Sequence, residues 1–269
     1  MTLHVFGDTG GHFDQLFTSL LRLGLNPETF ELPADVRVIH LGDLIHKGPK
    51  SNELVQLVEQ IITANPLGQW IQLLGNHESQ HIPGGHHFWV CDCNNATKRL
   101  LKQWYRDKVA FVAHAEGNFL FTHSGITRTF WEKLGSPASA AEAAERIQAL
   151  PAEEAFKPGT MLARDRTRTW ANPGPVWALS TFEVFQSWLY AKVPMPFVQV
   201  HGHTSALDWE SERWYPAPPE FLENVRGDPE SRSLLVPVAG SALIGLDPSF
   251  EKRTPRLEAQ PFLKLPEDS

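Results

Sequence analysis

The sequence predicts an α/β fold with parallel strand pairing. Short apolar stretches alternate along the chain with segments whose apolar residues recur at helical spacing. Several apolar stretches also end in glycine followed by Asp, Asn or His, a pattern that suits the ligand-binding edge of a parallel sheet. The 269 residues show no internal repeat and no low-complexity tract. We therefore expect one domain over residues 1–250 and a loosely held, charged, Pro-containing tail over residues 251–269.

The first half of the chain shows the alternation most clearly. It predicts strands at residues 3–7, 36–42 and 69–75 and helices at residues 12–23 and 52–63. In the first helix the apolar residues recur every three to four positions, and a glycine follows it as a plausible stop signal.

The second half is predicted to contain more strands. A hairpin is expected at residues 109–125 with its turn at Glu116-Gly117-Asn118. A further strand is expected at residues 196–204 and a closing pair of strands at residues 234–247.

Two serines predict helix starts. Ser139 and Ser180 are each followed three positions later by a glutamate, Glu142 and Glu183, which is the pattern of a capping box. Residues 151–177, which lie between these two helix starts, are rich in Pro, Gly and Arg and are predicted to form a long surface loop.

Composition excludes several classes of protein. A net charge of −7 argues against a general nucleic-acid-binding surface, which is usually basic. No apolar run approaches the ~20 residues that span a bilayer, and the N-terminal residues do not resemble a secretion signal. Cys91 and Cys93 are the only cysteines, too few and too close together for a disulfide framework. The expected location is the cytoplasm.

Five segments place metal-ligand residues at strand ends. They read Gly7-Asp8, Gly42-Asp43, Gly75-Asn76-His77-Glu78, Thr122-His123-Ser124-Gly125 and His201-Gly202-His203-Thr204. Because the carboxyl ends of parallel strands meet at one edge of a sheet, these side chains could surround two cations with one bridging carboxylate. A single Asp at a strand end is more often a helix cap or a turn former, but five such segments are hard to attribute to capping. By contrast, His40 and His114 alternate with apolar neighbours and are predicted to be interior or hairpin residues.

The order of these motifs resembles that of the calcineurin-like metallophosphoesterase superfamily. The Gly42–Pro49 segment (GDLIHKGP) and the Gly75–Glu78 segment (GNHE) look closest to the branch that contains the serine/threonine protein phosphatases and the bacteriophage-type phosphatases. The matches run from Asp8 to Thr204. The resemblance implies two mixed β-sheets packed as a sandwich and flanked by helices, with a dinuclear metal centre above them.

The resemblance also implies a role for each matched residue. It assigns Asp8 to one metal ion and Asp43 to the bridge between the two ions. The residues that fall on the second ion are Asn76, His123 and His203. His77 matches the histidine that protonates the leaving group, a role that suits an imidazole with a pKa near neutrality.

The implied reaction is hydrolysis of phosphomonoesters by metal-bound water or hydroxide, without a phosphoenzyme. Two cations ~3.5–4 Å apart would activate the water and clamp the phosphoryl oxygens for in-line attack. We expect two divalent ions, Mn first, with Fe or Zn as alternatives that accept the same ligands. The residues expected to contact substrate are Asn76, Lys47 and Arg164. The expected partner is a phosphorylated small molecule, nucleotide or phosphoprotein, with no membrane and no nucleic acid.

Two departures affect the metal and the proton donor. Gly10 stands where the family usually has a metal-binding histidine, and two readings of His12 remain open. His12 either reaches the same ion, or it begins the helix and leaves that ion to the two aspartates and water. His46 stands where the phosphatase branch has an aspartate that orients the proton-donating histidine. The acids that could replace that aspartate are Glu78 and Asp165.

One further departure and two other features concern the substrate side. Lys47 replaces a phosphate-binding arginine, which keeps the charge but loses the bidentate geometry. Residues 81–93 hold three histidines and two cysteines. Their spacing fits no standard zinc pattern, so a substrate-facing loop with aromatic contacts is favoured over a third metal site. Within residues 163–170, Arg164 either belongs to a solvated loop or folds over the site to bind phosphate.

Two alternatives to a phosphomonoesterase stay open. One is a hydrolase of nucleotides or dinucleoside polyphosphates, since relatives with similar motifs catalyse that reaction. The other is a non-catalytic phosphate-binding relative, which the changes at Gly10, His46 and Lys47 would explain. A nuclease is disfavoured because Ser205 stands where many phosphodiesterase relatives have a further histidine and because the chain lacks a basic stripe.

Overall fold

The computed structural model describes residues 1–90, 93–159, 172–191, 193–238, 240–250 and 257–265. Its first half alternates strands and helices as predicted. The elements are β1 (Thr2–Phe6), α1 (Phe13–Arg22), β2 (Val36–His40), α2 (Ser51–Ala64), β3 (Trp70–Leu73), α3 (Asn76–Ser79), α4 (Asn95–Arg106), β4 (Ala110–Phe111), β5 (Ala113–Glu116) and β6 (Phe119–Thr122). The last two strands form the predicted hairpin around its Gly117 turn.

The second half begins with helices and ends with strands. The helical elements are α5 (Arg128–Lys133), α6 (Ala140–Gln148), α7 (Ala152–Ala155), a π-helical turn (Ser180–Phe185) that runs into α8 (Gln186–Leu189), and α9 (Pro219–Asn224). The strands are β7 (Val198–His201), β8 (Leu207–Asp208), β9 (Arg213–Trp214), β10 (Arg226–Asp228), β11 (Ser233–Val238), β12 (Ser241–Gly245) and β13 (Leu263–Leu265).

The strands of the described residues form two large mixed sheets, as expected, and one short ribbon. The first sheet has the order β13-β1-β2-β3-β4, and its last four strands are parallel. The second sheet has the order β10-β11-β12-β7-β6-β5, in which β12, β7 and β6 are parallel neighbours. The ribbon pairs β8 with β9. Both large sheets therefore bring the carboxyl ends of parallel strands to an edge.

An apolar layer holds the two sheets together. Leu3 and Val5 of β1 contact the same buried cluster as Phe121 of β6 and Val200 of β7. The alternate residues of β1 point the other way, where Phe6 packs on a second cluster with helices α1, α2 and α4. This two-residue alternation explains why the strands of the first sheet are covered on both faces.

An ion pair links the same two sheets at one margin. The Arg37 guanidinium of β2 donates to both carboxylate oxygens of Glu116 in β5, with Nη2 3.1 Å from Oε2. Both side chains are about one-fifth exposed. The bidentate geometry gives this pair a fixed orientation that a lysine would not provide.

Two predictions about the middle of the chain were wrong. Residues 151–177 are not a surface loop where they are described, because they include α7 and bury Phe156 and Trp177 in the core. Ser180 does not cap a helix, since its hydroxyl is hydrogen-bonded to Thr204 instead. Ser139 is confirmed as a helix N-cap, because its side chain accepts from the N–H of Glu142, but the Glu142 carboxylate accepts from the N–H of Ala138 and not from that of Ser139.

The expectation of a loosely held tail is also wrong for residues 257–265. Strand β13 pairs antiparallel with β1, and Gln260 is buried between them and helix α1. The Gln260 side chain donates to the carbonyl of Gly7 at 3.0 Å and accepts from the hydroxyl of Thr9 at 2.7 Å. The charge and proline content of this segment suggested a loose tail, but a few of its apolar and amide groups complete the first sheet. No helix among the described residues is long and apolar enough to cross a membrane.

Candidate metal centre and active site

The predicted ligands come together between the two sheets. Asp8, Asp43 and Asn76 follow β1, β2 and β3 of the first sheet, and His123 and His203 follow β6 and β7 of the second. All five side chains are buried. Ligand atoms of Asp43, His123 and His203 lie within 4.8 Å of one another. The packing of the sheets thus assembles groups that are far apart in the sequence.

The Asn76 side-chain oxygen lies at the centre of this group. It is 3.1 Å from His123 Nε2 and 3.2 Å from His203 Nδ1 and from both Asp43 carboxylate oxygens. Lone pairs that face each other at this distance repel unless a proton or a cation lies between them. Amide oxygen, carboxylate and imidazole are all ligands of divalent metal ions. Without a cation, rotation of the amide would turn its NH₂ group toward the same four atoms; with a cation, the oxygen is the ligand, and the donor set fits that ion.

Backbone contacts orient the histidine ligand. His123 Nδ1 donates to the carbonyl of Leu41 at 2.9 Å, which leaves Nε2 to face Asp43 Oδ1 at 3.4 Å. A second hydrogen bond of this kind is how metal-binding histidines are usually held. Although burial lowers the pKa of His123, the nearby carboxylates of Asp43, Asp8 and Glu78 raise it overall. The centre therefore favours positive charge.

Asp8 lies beside these ligands. Its Oδ1 accepts from the backbone N–H of His203 at 2.9 Å, whereas its buried Oδ2 has no hydrogen-bond partner among the described residues. Burial raises the pKa of Asp8 to about 6, which the positive charges of His123 and Lys47 oppose. A carboxylate oxygen that is buried without a partner is costly unless a cation neutralises it. A second ion held by Asp8 and Asp43 stays a prediction.

Two glycines allow the ligand loops to approach this closely. A Cβ atom at Gly75 would lie 2.0 Å from Asp43 Oδ1, and one at Gly202 would lie 2.4 Å from Asp8 Oδ1. Any other residue at either position would displace a ligand carboxylate. Asp43 and His203 themselves have positive φ angles of 55° and 68°, an uncommon conformation that is often found at functional sites.

Glu78 holds two of the ligand loops together. Its oxygens accept from the backbone N–H groups of Asp43 at 2.7 Å, Leu44 at 2.8 Å and Gly75 at 2.9 Å. Both oxygens thus accept hydrogen bonds from backbone N–H groups, so Glu78 does not orient His77 as one hypothesis suggested. The other candidate for that role, Asp165, lies outside the described residues.

His12 is the residue immediately before helix α1. It is buried, and its ring packs edge-on against Phe250 with centroids 5.3 Å apart. Of the groups of ligand atoms found among the described residues, none includes His12. Its role as the replacement for the histidine missing at Gly10 stays a prediction.

His77 presents one ring nitrogen to the centre. Its Nε2 is 3.8 Å from Asp43 Oδ2, and the rings of Phe88 and Trp89 pack against it at 5.0 and 5.2 Å. Burial and then the charge of Lys47 lower the pKa of His77. The aromatic loop within residues 81–93 therefore lies beside the expected proton donor, although its contact with substrate stays a prediction.

Of the two basic residues expected to bind phosphate, the structure describes Lys47 but not Arg164. The Lys47 side chain lies over the Asp8 loop, since a Cβ atom at Gly10 would be 3.3 Å from Lys47 Cδ. Arg164 lies outside the described residues, and its role stays a prediction.

His46 and His81 come close to Cys93, with one ligand atom of each within 4.8 Å of the others. This cluster lies on the outer side of His77, away from the first group of ligands.

Sequence reasoning did not single out two buried residues of the site. Asp247 follows β12, and burial followed by the charge of Asp8 raises its pKa to about 6. The same glycine–strand-end pattern occurs in Gly245-Leu246-Asp247 and could have identified it. Gln80 hydrogen-bonds to His46, but it is the residue directly after the short helix α3 and belongs to no distinguishing motif, so no sequence signal pointed to it. His40 is confirmed as an interior residue, since it is fully buried and hydrogen-bonded to Thr9 and Gln72.

Solved structures with a similar fold include cold-active phosphatases. The protein-tyrosine phosphatase of a psychrophilic Shewanella species superimposes with a TM-score of 0.58 and 16% identity, covering 99% of this chain and 76% of that one. A mutant cold-active protein tyrosine phosphatase gives a TM-score of 0.59 with the same identity and coverage. At this identity the likeness shows the fold alone.

Sequence comparison identifies the family. Symmetrical bis(5'-nucleosyl)-tetraphosphatases from two serotypes of Actinobacillus pleuropneumoniae are 28% and 27% identical over 156 residues. The matches cover 55% of this chain, and the chain spans about half the length of these curated relatives, 53% of each. The family model described as calcineurin-like phosphoesterase matches residues 1–225. Since this match covers most of the chain, the protein belongs to the calcineurin-like phosphoesterase family.

Proposed function

We propose that this protein is a metal-dependent phosphoric ester hydrolase that acts on phosphomonoesters. The observation that supports this most strongly is the Asn76 oxygen, which lies within 3.2 Å of four other acceptor atoms at the meeting point of two sheets. Such a group of carboxylate, amide and imidazole atoms suits a divalent cation, and the family acts on phosphoesters. Manganese is the ion we propose for both positions, because carboxylate, amide and imidazole ligands suit it.

The chain's own groups have distinct tasks in this proposal. Asp43 and Asn76 hold the ions, and Lys47 attracts the phosphate anion. His77 Nε2, which faces the centre, donates a hydrogen to the oxygen of the leaving group. Divalent ions at such a site supply polarisation of the phosphoryl group and lower the pKa of water. The buried walls exclude bulk solvent, which strengthens each electrostatic contact.

Turnover of p-nitrophenyl phosphate in the presence of Mn²⁺ tests this proposal. We expect activity that is abolished by a chelator and restored by Mn²⁺. His77→Asn should lower kcat by roughly 10²–10⁴-fold on phenyl phosphate, the usual contribution of a proton donor. A folded protein that shows no turnover with any divalent ion would support a non-catalytic phosphate-binding relative instead.

A second candidate is hydrolysis of dinucleoside polyphosphates. The similarity to symmetrical bis(5'-nucleosyl)-tetraphosphatases over 55% of the chain favours it. A panel of p-nitrophenyl phosphate, a phosphopeptide and diadenosine tetraphosphate separates the two, because the preferred class should exceed the others in kcat/KM by at least an order of magnitude. The physiological partner is therefore proposed only as a phosphorylated small molecule, nucleotide or protein. A cytoplasmic location stays a prediction from the sequence.

A further inference from the structure

Two histidine rings meet where the phosphatase branch would have a carboxylate and a histidine. His46 Nδ1 lies 2.6 Å from His77 Nδ1, and both residues are buried. Two lone pairs repel at this distance, and so do two N–H groups. One of these nitrogens must therefore carry a proton and the other must accept it. The function of His77 depends on which of the two it is.

Gln80 decides the question because its amide group can adopt only one orientation. Its Oε1 accepts from the backbone N–H groups of Trp89 at 3.1 Å and Phe88 at 3.4 Å. A backbone N–H group can only donate, so the oxygen must be on that side. The amide nitrogen then lies 3.2 Å from His46 Nε2 and 3.4 Å from His81 Nε2.

The direction of the remaining hydrogen bonds follows from the amide. Because an amide NH₂ group can only donate, His46 Nε2 accepts, and the proton of that ring is on Nδ1. His46 Nδ1–H then donates to His77 Nδ1, so the proton of His77 is on Nε2. That nitrogen is the one that faces Asp43, 3.8 Å from its Oδ2.

We propose that Gln80 and His46 are positioning residues that keep His77 in the tautomer with its proton on Nε2, directed at the leaving-group oxygen. We call this chain of hydrogen bonds from Gln80 through His46 to His77 the relay. It takes the place of the aspartate that the phosphatase branch has at position 46. Where an aspartate would stabilise a charged imidazolium, the Gln80–His46 pair holds a neutral ring as a hydrogen-bond donor. Trp89 supports the arrangement, since its ring stacks on His46 at 6.0 Å and 15° and packs against His77. The proposal rests on the proposed function only in assuming that His77 donates a proton to the leaving group.

The tautomers can be read directly by ¹⁵N NMR of histidine-labelled, full-length protein loaded with Mg²⁺. Signals of the two rings are assigned by their loss in His46→Asn and His77→Asn. We expect the proton on Nδ1 of His46 and on Nε2 of His77. The reverse arrangement in the unsubstituted protein would overturn the proposal. This readout does not depend on turnover, so an inactive protein with the expected tautomers would refute the proposed function and leave the relay standing.

Gln80→Glu is the matched variant because it keeps the shape of the side chain and the acceptor for residues 88 and 89. A carboxylate cannot donate, so we expect His46 Nε2 to become protonated; if it stays unprotonated, the relay is refuted. Cys93→Ser is the control. If an ion held by His46, His81 and Cys93 set the tautomer, this substitution would change it, whereas the relay predicts no change.

Kinetics provide a second readout, the difference in kcat loss between two substrates, which a purely structural role of Gln80 would not produce. Gln80→Met removes the amide donor. It should lower kcat on phenyl phosphate by about tenfold, which is part of the rate that a positioned proton donor contributes. It should lower kcat on p-nitrophenyl phosphate by less than about twofold, because the weakly basic nitrophenolate leaves readily without a proton. Equal losses on both substrates would contradict the relay.

Discussion

The side-chain oxygen of Asn76 lies 3.1 Å from Nε2 of His123, although both atoms can act as acceptors. Asn76 follows the third strand of one sheet and His123 the hairpin strand of the other, so the contact exists only because the sheets pack face to face. Asp43 brings two negative oxygens to the same point. In physical terms the fold concentrates oxygen and nitrogen ligand atoms there, an arrangement that suits a cation.

Metal ions should therefore stabilise the fold. Addition of Mn²⁺ at 100 times its dissociation constant should raise the free energy of unfolding by about 2.7 kcal/mol per site, which thermal denaturation measures as a higher Tm. His123→Asn should remove most of this increase because it deletes a donor atom of the cluster. His86→Asn, at an exposed position, is the matched control and should keep the increase. An equal Mn²⁺ response in both variants would count against the site.

Glu78 should matter for stability even without metal. In Glu78→Gln an NH₂ group replaces one oxygen and faces backbone N–H donors that then lack an acceptor. Each unsatisfied buried group costs about 1–3 kcal/mol, so urea denaturation of the chelated protein should show a loss of that size. Glu53→Gln, on the exposed side of α2, should change the stability by less than about 0.5 kcal/mol. A similarly small effect at Glu78 would mean that the loops do not depend on it.

The C-terminal segment should support the Asp8 loop. Gln260→Ala deletes the two side-chain hydrogen bonds to Gly7 and Thr9, and should destabilise the protein by about 1–3 kcal/mol. Glu258→Ala removes a side chain that is 89% exposed two positions away, and should have little effect. If chemical denaturation finds the two variants equally stable, then residues 257–265 do not hold the loop in solution.

The ion pair between the sheets predicts a pH-dependent stability. The His114 ring, whose Nε2 lies 3.6 Å from Glu116 Oε2, and the hydrogen-bonded Arg37 guanidinium lower the pKa of Glu116 below its ordinary value of 4.5 against the opposing effect of burial. The ionised form is thus favoured by folding, and its contribution is complete above pH 4.5 and is lost as the pH falls through the lower folded-state pKa. Glu116→Gln should be less stable than the unsubstituted protein at pH 7, and the difference should shrink as the pH falls below about 4.5. A difference that stays constant down to pH 3 would contradict this assignment.

Sequence reasoning succeeded where chemistry follows a regular local pattern. Asp43 and Asn76 follow apolar strands and glycine, so both the strands and the convergence of their ends could be predicted. It failed where one polar group meets another from a distant segment. Gln260 contacts Thr9 across 251 positions, and the composition of its segment suggested only a loose tail. The role of Gln80 depends on two backbone N–H groups at residues 88 and 89, which no side-chain pattern reveals.

The pair of ion sites is most directly tested by anomalous X-ray scattering from crystals grown with Mn²⁺. We predict two anomalous peaks per chain. One should lie within coordination distance of Asn76 Oδ1, His123 Nε2 and His203 Nδ1, and the other next to Asp8 Oδ2, with Asp43 between them. Crystals that show no peak among these atoms at saturating Mn²⁺ would contradict the claim that the buried donors form a dinuclear metal centre.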